Sequence, residues 1–195
     1  MVLKVDLTDE TAVLTACDTL ESRWKDCAVS VLVNNAGILS SHKWAATTPE
    51  EFERVMRANA LSAFIVTRRL LPGMRRAGYG RIIFTTSMAA KVGGVTAGTS
   101  YVASKGALSS MVFALARETA ADGVTVNGIA PAYVRTPMVT EQLTEAQRRA
   151  VVMQIPVRRF CEPEEFAHVV RFLVHPLAGF VTGEIVDQNG GMHMD

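Results

Sequence analysis

Gly80-Arg-Ile-Ile-Phe-Thr-Thr86 is a short apolar, β-branched run. Ser87 follows it directly, then a loop rich in Gly, Ala and Thr over 88–99, then Tyr101-Val-Ala-Ser-Lys105. The run predicts a buried strand. From about Ser100 to Ala121 apolar residues return at helical spacing, and Asp122-Gly123 ends that helix. Val124-Thr-Val-Asn-Gly-Ile129, closed by Pro131, is the next strand. Strand, long helix and strand without a hairpin signal between them predict a parallel pair joined by a crossover.

The same alternation continues on both sides. Upstream, Val29-Ser-Val-Leu-Val-Asn34 is a strand stopped by the turn Asn35-Ala-Gly37. Thr48-Pro49-Glu50-Glu51 starts a helix: Thr48 suits the N-cap, Pro49 the first helical position, and Glu51 closes a capping box. That helix is expected to run to about Leu71, with Pro72-Gly73 as its stop. Nearer the N-terminus, Val2-Leu-Lys-Val reads as a strand ending at Asp6, and Asp6-Leu-Thr-Asp9 leads into a helix carrying Val13, Leu14, Cys17, Leu20 and Trp24. Downstream, helical stretches are expected near 138–153 and 163–175, and Glu184-Ile-Val-Asp187 as a last short strand. The fold class is α/β, a mostly parallel sheet in one domain over 1–195, because near-continuous Val/Ile/Leu strands need cover on both faces.

Composition narrows the partners. Across 195 residues, 20 Lys plus Arg against 19 Asp plus Glu leave a formal charge of +1, so no basic field points to nucleic acid or an anionic membrane. No apolar run approaches the ~18 residues of a spanning helix. The opening residues lack the basic-then-apolar layout of a signal peptide. Cys17, Cys27 and Cys161 form no CxxC pair, which suits reduced thiols and a cytoplasmic chain. The four histidines show no ligand spacing such as HExxH, so no metal is expected.

The chemistry concentrates at the carboxyl ends of the strands, where open α/β sheets hold their ligands. Tyr101 and Lys105, at i and i+4, share one face of a helix. A phenol titrates near 10, so ionising it near pH 7 costs about 4 kcal/mol. A cation about 4 Å away supplies on the order of 4 kcal/mol at an effective dielectric of 20. The ammonium is therefore expected to lower the phenol's pKa. Alone, a YxxxK spacing is weak, and for an isolated match an ordinary helix-surface pair is the better explanation. Here Ser87, Asn34-Asn-Ala-Gly37 and Asn127-Gly-Ile-Ala-Pro131 close three successive strands, with Thr136-Pro137 just beyond, and together describe one crevice. Structural readings stay open for single residues: Asn34 as a backbone tie, Ser87 as a turn residue. Met138, Val139, Leu143, Val151, Val152 and Met153 either line an apolar pocket or form the buried face of a helix pair.

These motifs resemble the short-chain dehydrogenases/reductases over essentially the whole chain. Asn34-Asn-Ala-Gly37 is similar to the family's NNAG element, Asn59 to its active-site asparagine, Ser87, Tyr101 and Lys105 to its serine and YxxxK pair, and 127–138 to its NxIxPGxVxTPM stretch. The resemblance implies a Rossmann-like doubly wound sheet and reversible hydride transfer between NAD or NADP and a secondary alcohol or ketone. Tyr101 would be the general acid/base, Lys105 would lower its pKa and bond the nicotinamide ribose, Ser87 would polarise the carbonyl, and Asn59 would hold a water in the proton relay. Asp6 would lie near the adenine, Asn34, Ala36 and Pro131 would border the cofactor, and Val134 and Thr136 would meet the carboxamide. Family members are commonly homodimers or homotetramers, joined through the helices expected at about 49–71 and 100–121.

Three departures stand out. Ala132 replaces the glycine usual after the proline, and Ser87 lies 14 residues before Tyr101, one more than the commonest spacing. More consequentially, no GxxxGxG or GxGxxG follows a strand, so the turn that cradles a pyrophosphate on a helix N-terminus is missing. The match begins at the family's third strand, which implies an N-terminally truncated sheet. Val2–Asp6 would then be two lanes of about 4.8 Å from the strand at 29–34. Either the chain is a shortened enzyme, or residues 2–6 move beside that strand, or a second subunit covers its edge. The rival function is a non-catalytic, truncated module unable to bind cofactor. A methyltransferase on a similar sheet would not explain Tyr101 and Lys105.

Overall fold

The computed structural model describes residues 1–24, 27–141 and 143–194. Its sheet has four parallel strands in sequence order: β1 (Val31–Asn34), β2 (Gly80–Thr85), β3 (Val124–Pro131) and β4 (Ile185–Gln188). Asn34 is paired with Phe84, Thr85 with Ile129, and Pro131 with Gln188, so the carboxyl ends of all four strands lie along one rim. The helices are α1 (Glu10–Arg23), α2 (Pro49–Met56), α3 (Ser62–Ala77), α4 (Ala89–Val92), α5 (Thr99–Thr119), α6 (Pro137–Thr140), α7 (Glu145–Gln154) and α8 (Pro163–Val174). Gln142, within the helical stretch expected at 138–153, lies outside the described residues.

The strands' two-residue period divides the core between two faces. Ile82 and Phe84 of β2 and Val124, Val126 and Ala130 of β3 pack against Met74 of α3 and Leu108, Val112 and Ala116 of α5. On the opposite face, Ile83 and Ile129 meet Leu173, Phe166 and Val170 of α8. The expected cover on both faces is thus present over β2 and β3. It stops at β1, whose Leu32 is packed while Val31 and Val33 remain 40% and 37% exposed.

Two expectations need correction. Residues 2–6 form no strand and do not join the sheet. A strand gains stability only from a ladder partner, and this segment instead lays Val5, with Leu7 just after it, on Val13, Cys17, Ile65 and Leu70. The helix begun at Pro49 does not stop at Pro72-Gly73: α3 carries Pro72 inside it and ends at Gly78, whose φ of 62° is the left-handed cap. Pro72 removes the N–H that would pair the Arg68 carbonyl. Both residues are exposed, so water can replace that bond, while Gly73 and Met74 just beyond are buried and hold the helix in place.

Candidate active site

The rim of β1–β3 carries two connected hollows with Tyr101 between them. The larger, a cleft of about 710 Å³, is lined by Tyr101, Lys105, Thr85, Pro131, Val134 and Thr136 among others. The smaller, about 80 Å³, is bounded by Ser87 and Tyr101, by the loop 93–97, and by Tyr133, Met138, Val139 and Leu143. Among the described residues, no charged side chain lines the smaller hollow. The open alternatives for 138–155 thus resolve by residue. Met138 lines the pocket, Val139 and Leu143 both line it and pack with Val151, Val152, Ile155 and Phe160 in the helix pair's apolar face, and Met153 is exposed.

Ser87 ends β2's trajectory; its hydroxyl accepts a hydrogen bond from the Ala89 N–H at 3.2 Å, starting α4. The Tyr101 ring lies 5.7 Å from Lys105 Nζ, the juxtaposition expected of residues four apart on one helix. Lys105 is 4% exposed and donates to the Thr85 carbonyl at 2.7 Å. Burial pushes its ammonium down to about 8. The expected acidification of Tyr101 is not seen. Burial holds the phenol above its ordinary value, opposed by a hydrogen bond with Ser87, and Lys105 contributes nothing resolvable. The ammonium sits over the ring, 5.7 Å from its centroid, with one N–H committed to the Thr85 carbonyl.

Asn59 occupies the π-helical turn Arg57–Leu61 between α2 and α3, where one extra residue rotates the side chain inward. It is fully buried. Its Oδ1 accepts from the Ile38 N–H at 2.8 Å, and its Nδ2 donates to the Ile38 carbonyl at 3.0 Å and to Ser104 Oγ at 2.9 Å. Asn59 thereby fastens the turn after β1 to α5. Gly37 fits this packing closely: a Cβ there would come within 3.2 Å of Asn59 Oδ1 and 3.6 Å of Lys105 Nζ.

Not every sequence candidate reaches the cleft. Val33, Asn35 and Gly37 line it; Asn34 and Ala36 do not. Within β1 the neighbours Val33 and Asn34 point to opposite faces of the sheet. Asn34 Nδ2 is turned to Thr67 Oγ1 of α3 at 3.0 Å, a structural tie. Asp6 lies outside the cleft as well: its carboxylate accepts from the Thr8 N–H and hydroxyl in a turn ahead of α1. Val134 and Thr136 are held by a bridge between Val134 and Cys161 and by an Arg135–Glu162 ion pair. Sequence reasoning missed Thr85, whose carbonyl orients Lys105, and Ser104, which orients Asn59. Ser104 precedes Lys105 inside the YxxxK motif, and that position was the available signal.

The residues present suit one half of a nicotinamide dinucleotide. Lys105 is a buried ammonium with one hydrogen bond made and further N–H groups open to the cleft, a donor set for ribose hydroxyls. No glycine turn for the pyrophosphate occurs among these 195 residues.

Comparison with known proteins agrees. A family model described as "Enoyl-(Acyl carrier protein) reductase" matches residues 1–193. The chain is 38% identical over 166 residues to the 3-oxoacyl-[acyl-carrier-protein] reductase FabG of Vibrio cholerae, covering 85% of this chain and 67% of that protein. It is 39% identical over 165 residues to the acetoacetyl-CoA reductase of Rhizobium meliloti, covering 85% and 68%. With the FabG of Pseudomonas aeruginosa it shares 40% identity over 164 residues, covering 84% of this chain and 66% of that protein. The matches thus span about two thirds of these relatives' lengths. The motif set, the parallel sheet and these likenesses place the chain in the short-chain dehydrogenase/reductase family of NAD(P)-dependent oxidoreductases.

Proposed function

We propose that this chain carries the catalytic portion of a reductase that converts the 3-oxo group of an acyl thioester to a secondary alcohol. The observation that carries the reading is Tyr101, placed between an uncharged apolar pocket and a cleft into which Lys105 projects. The relatives' names, a 3-oxoacyl reductase and an acetoacetyl-CoA reductase, favour the same substrate class.

The chemistry that NADH or NADPH would supply when bound is the hydride for the carbonyl carbon. As the carbonyl π-bond breaks, its oxygen gains charge and takes the Tyr101 proton, leaving the phenolate. Ser87 donates a hydrogen bond to that oxygen and fixes the carbonyl within reach of the phenol. A phenol held above its ordinary value stays protonated at neutral pH, the state a proton donor needs. Lys105 would hold the nicotinamide ribose through the N–H groups that the Thr85 carbonyl leaves unused. Asn59 Oδ1 and Lys105 Nζ converge beside Gly37, where a water would link them in the relay that reprotonates Tyr101. Val134 and Thr136 would meet the carboxamide, and Pro131 would border the cofactor in the same cleft.

The test is consumption of NADH or NADPH in the presence of acetoacetyl-CoA, with cofactor affinity measured by fluorescence. Turnover by the 195-residue chain supports the reading. The rival is a non-catalytic module that does not hold the cofactor. Cofactor left unbound at millimolar concentration would establish that rival. We also read the α3–α5 face as a surface for homodimer or homotetramer formation, because Phe64 and Phe113 are 46% and 55% exposed beside a groove of about 350 Å³. Sedimentation of a Phe113→Asp variant as a smaller species than wild type would support this, and an unchanged species would refute it.

A further inference from the structure

The pocket beside Tyr101 has one wall with little structure of its own, the loop 93–97. It contains Gly93 and Gly94 and belongs to no helix or strand. Three of its carbonyls, those of Gly94, Val95 and Ala97, converge on Lys43 Nζ at 2.7, 3.1 and 2.7 Å. An ammonium has three N–H groups, and all three are used here. Without a cation at that point, three carbonyl dipoles would face one another across the turn.

Lys43 is itself fixed. The Ser40 and His42 carbonyls accept from the Gly98 and Thr99 N–H groups at 2.6 and 3.0 Å. The two backbones approach so closely there that a Cβ on Gly98 would come within 2.3 Å of the His42 oxygen. Glu51, on α2, bonds both the Ser40 hydroxyl and the His42 ring. Opposite, Thr96 Oγ1 is 3.1 Å from the Tyr133 hydroxyl, which ties the loop to the segment bearing Met138 and Val139.

We infer that Lys43 is the positioning residue of the acyl pocket: its ammonium gathers the loop 93–97 into the wall facing Tyr101 and so sets how an acyl chain is held. Lys43 is absent from both hollows' linings, so it acts through that loop. This inference rests on the reductase reading for its substrate, while the hold itself is independent of it.

The test compares wild type with Lys43→Met and Lys43→Arg. Lys43→Met is expected to raise KM for acetoacetyl-CoA by on the order of tenfold, the factor matching the net worth of a charged hydrogen bond. The value of kcat and the affinity for NADPH should stay within about twofold, and amide exchange at Val95–Gly98 should accelerate. Lys43→Arg should recover only part of the KM, since planar N–H groups diverge where three carbonyls converge on one point. An unchanged KM, or unchanged exchange over 95–98, overturns the inference. So does an equal loss of KM, kcat and cofactor affinity, which would mark a general structural role. If wild type does not reduce the thioester, the reductase reading fails, and the exchange comparison alone then decides whether Lys43 holds the loop.

Discussion

Replacing Lys105 by Met should make the protein more stable and nearly inactive. Burial lowers the Lys105 ammonium from its ordinary 10.5 to about 8. At about 1.4 kcal/mol for each pH unit, keeping it charged at pH 7 costs about 3 kcal/mol of folding free energy. Met removes the charge and leaves an apolar stem of similar length. It also leaves the Thr85 carbonyl without its donor, a loss of about 1 kcal/mol. The net expectation is a gain of about 2 kcal/mol at pH 7, or roughly 4–8 °C in Tm for a chain of this size. The sign can be checked in wild type. Between about 8 and 10.5 the unfolded chain binds the Lys105 proton and the folded one does not, so stability contributed by this site should rise with pH across that window. Urea unfolding of both proteins at pH 7 and at several values from 8 to 10 measures each part. A destabilised Lys105→Met variant, together with the same pH slope in both proteins, would refute the claim that the ammonium is buried at a cost.

Other substitutions probe the frame around this pair. Asn59→Ala leaves the half-buried Ile38 N–H and carbonyl and the buried Ser104 hydroxyl without this partner and should cost about 3 kcal/mol in urea unfolding; a loss below 1 kcal/mol would mean the turn after β1 is not held by this side chain. Gly37→Ala presses a methyl toward Asn59 Oδ1 and Lys105 Nζ, so NADPH affinity measured by fluorescence should fall by on the order of tenfold, with Tm little changed. Met138→Ala widens the apolar pocket and should shift preference toward longer 3-oxoacyl thioesters, read as the ratio of kcat/KM between chain lengths. An unchanged ratio would place the acyl chain elsewhere.

Much of this architecture was legible because local signals and burial agree. Thr48 and Pro49 begin α2 as their chemistry requires, Asp9 caps α1, and β2 and β3 are buried runs whose period cannot be misread. Departures arise where tertiary context overrides a local rule. Pro72 is a strong stop signal, yet its exposed position makes one missing hydrogen bond inexpensive, and the buried residues after it prolong the helix. Residues 2–6 have a strand's composition but no neighbour to pair with. Asn34 and Ala36 carry the recognisable motif, whereas the cleft is lined by Val33 of β1 and by Asn35 and Gly37 of the turn after it. Lys43 could not be found from spacing at all, because its partners are main-chain carbonyls 51 to 54 residues away that no side-chain pattern announces.

The central claim is that the Tyr101 hydroxyl delivers the proton to the reacting carbonyl oxygen. Reduction of acetoacetyl-CoA by Tyr101→Phe, followed in a single turnover with NADPH affinity determined on the same sample, tests it most directly. A loss of rate on the order of 10²–10⁴-fold with cofactor affinity within about twofold of wild type is the predicted result. A variant that reduces the thioester as fast as wild type would contradict it.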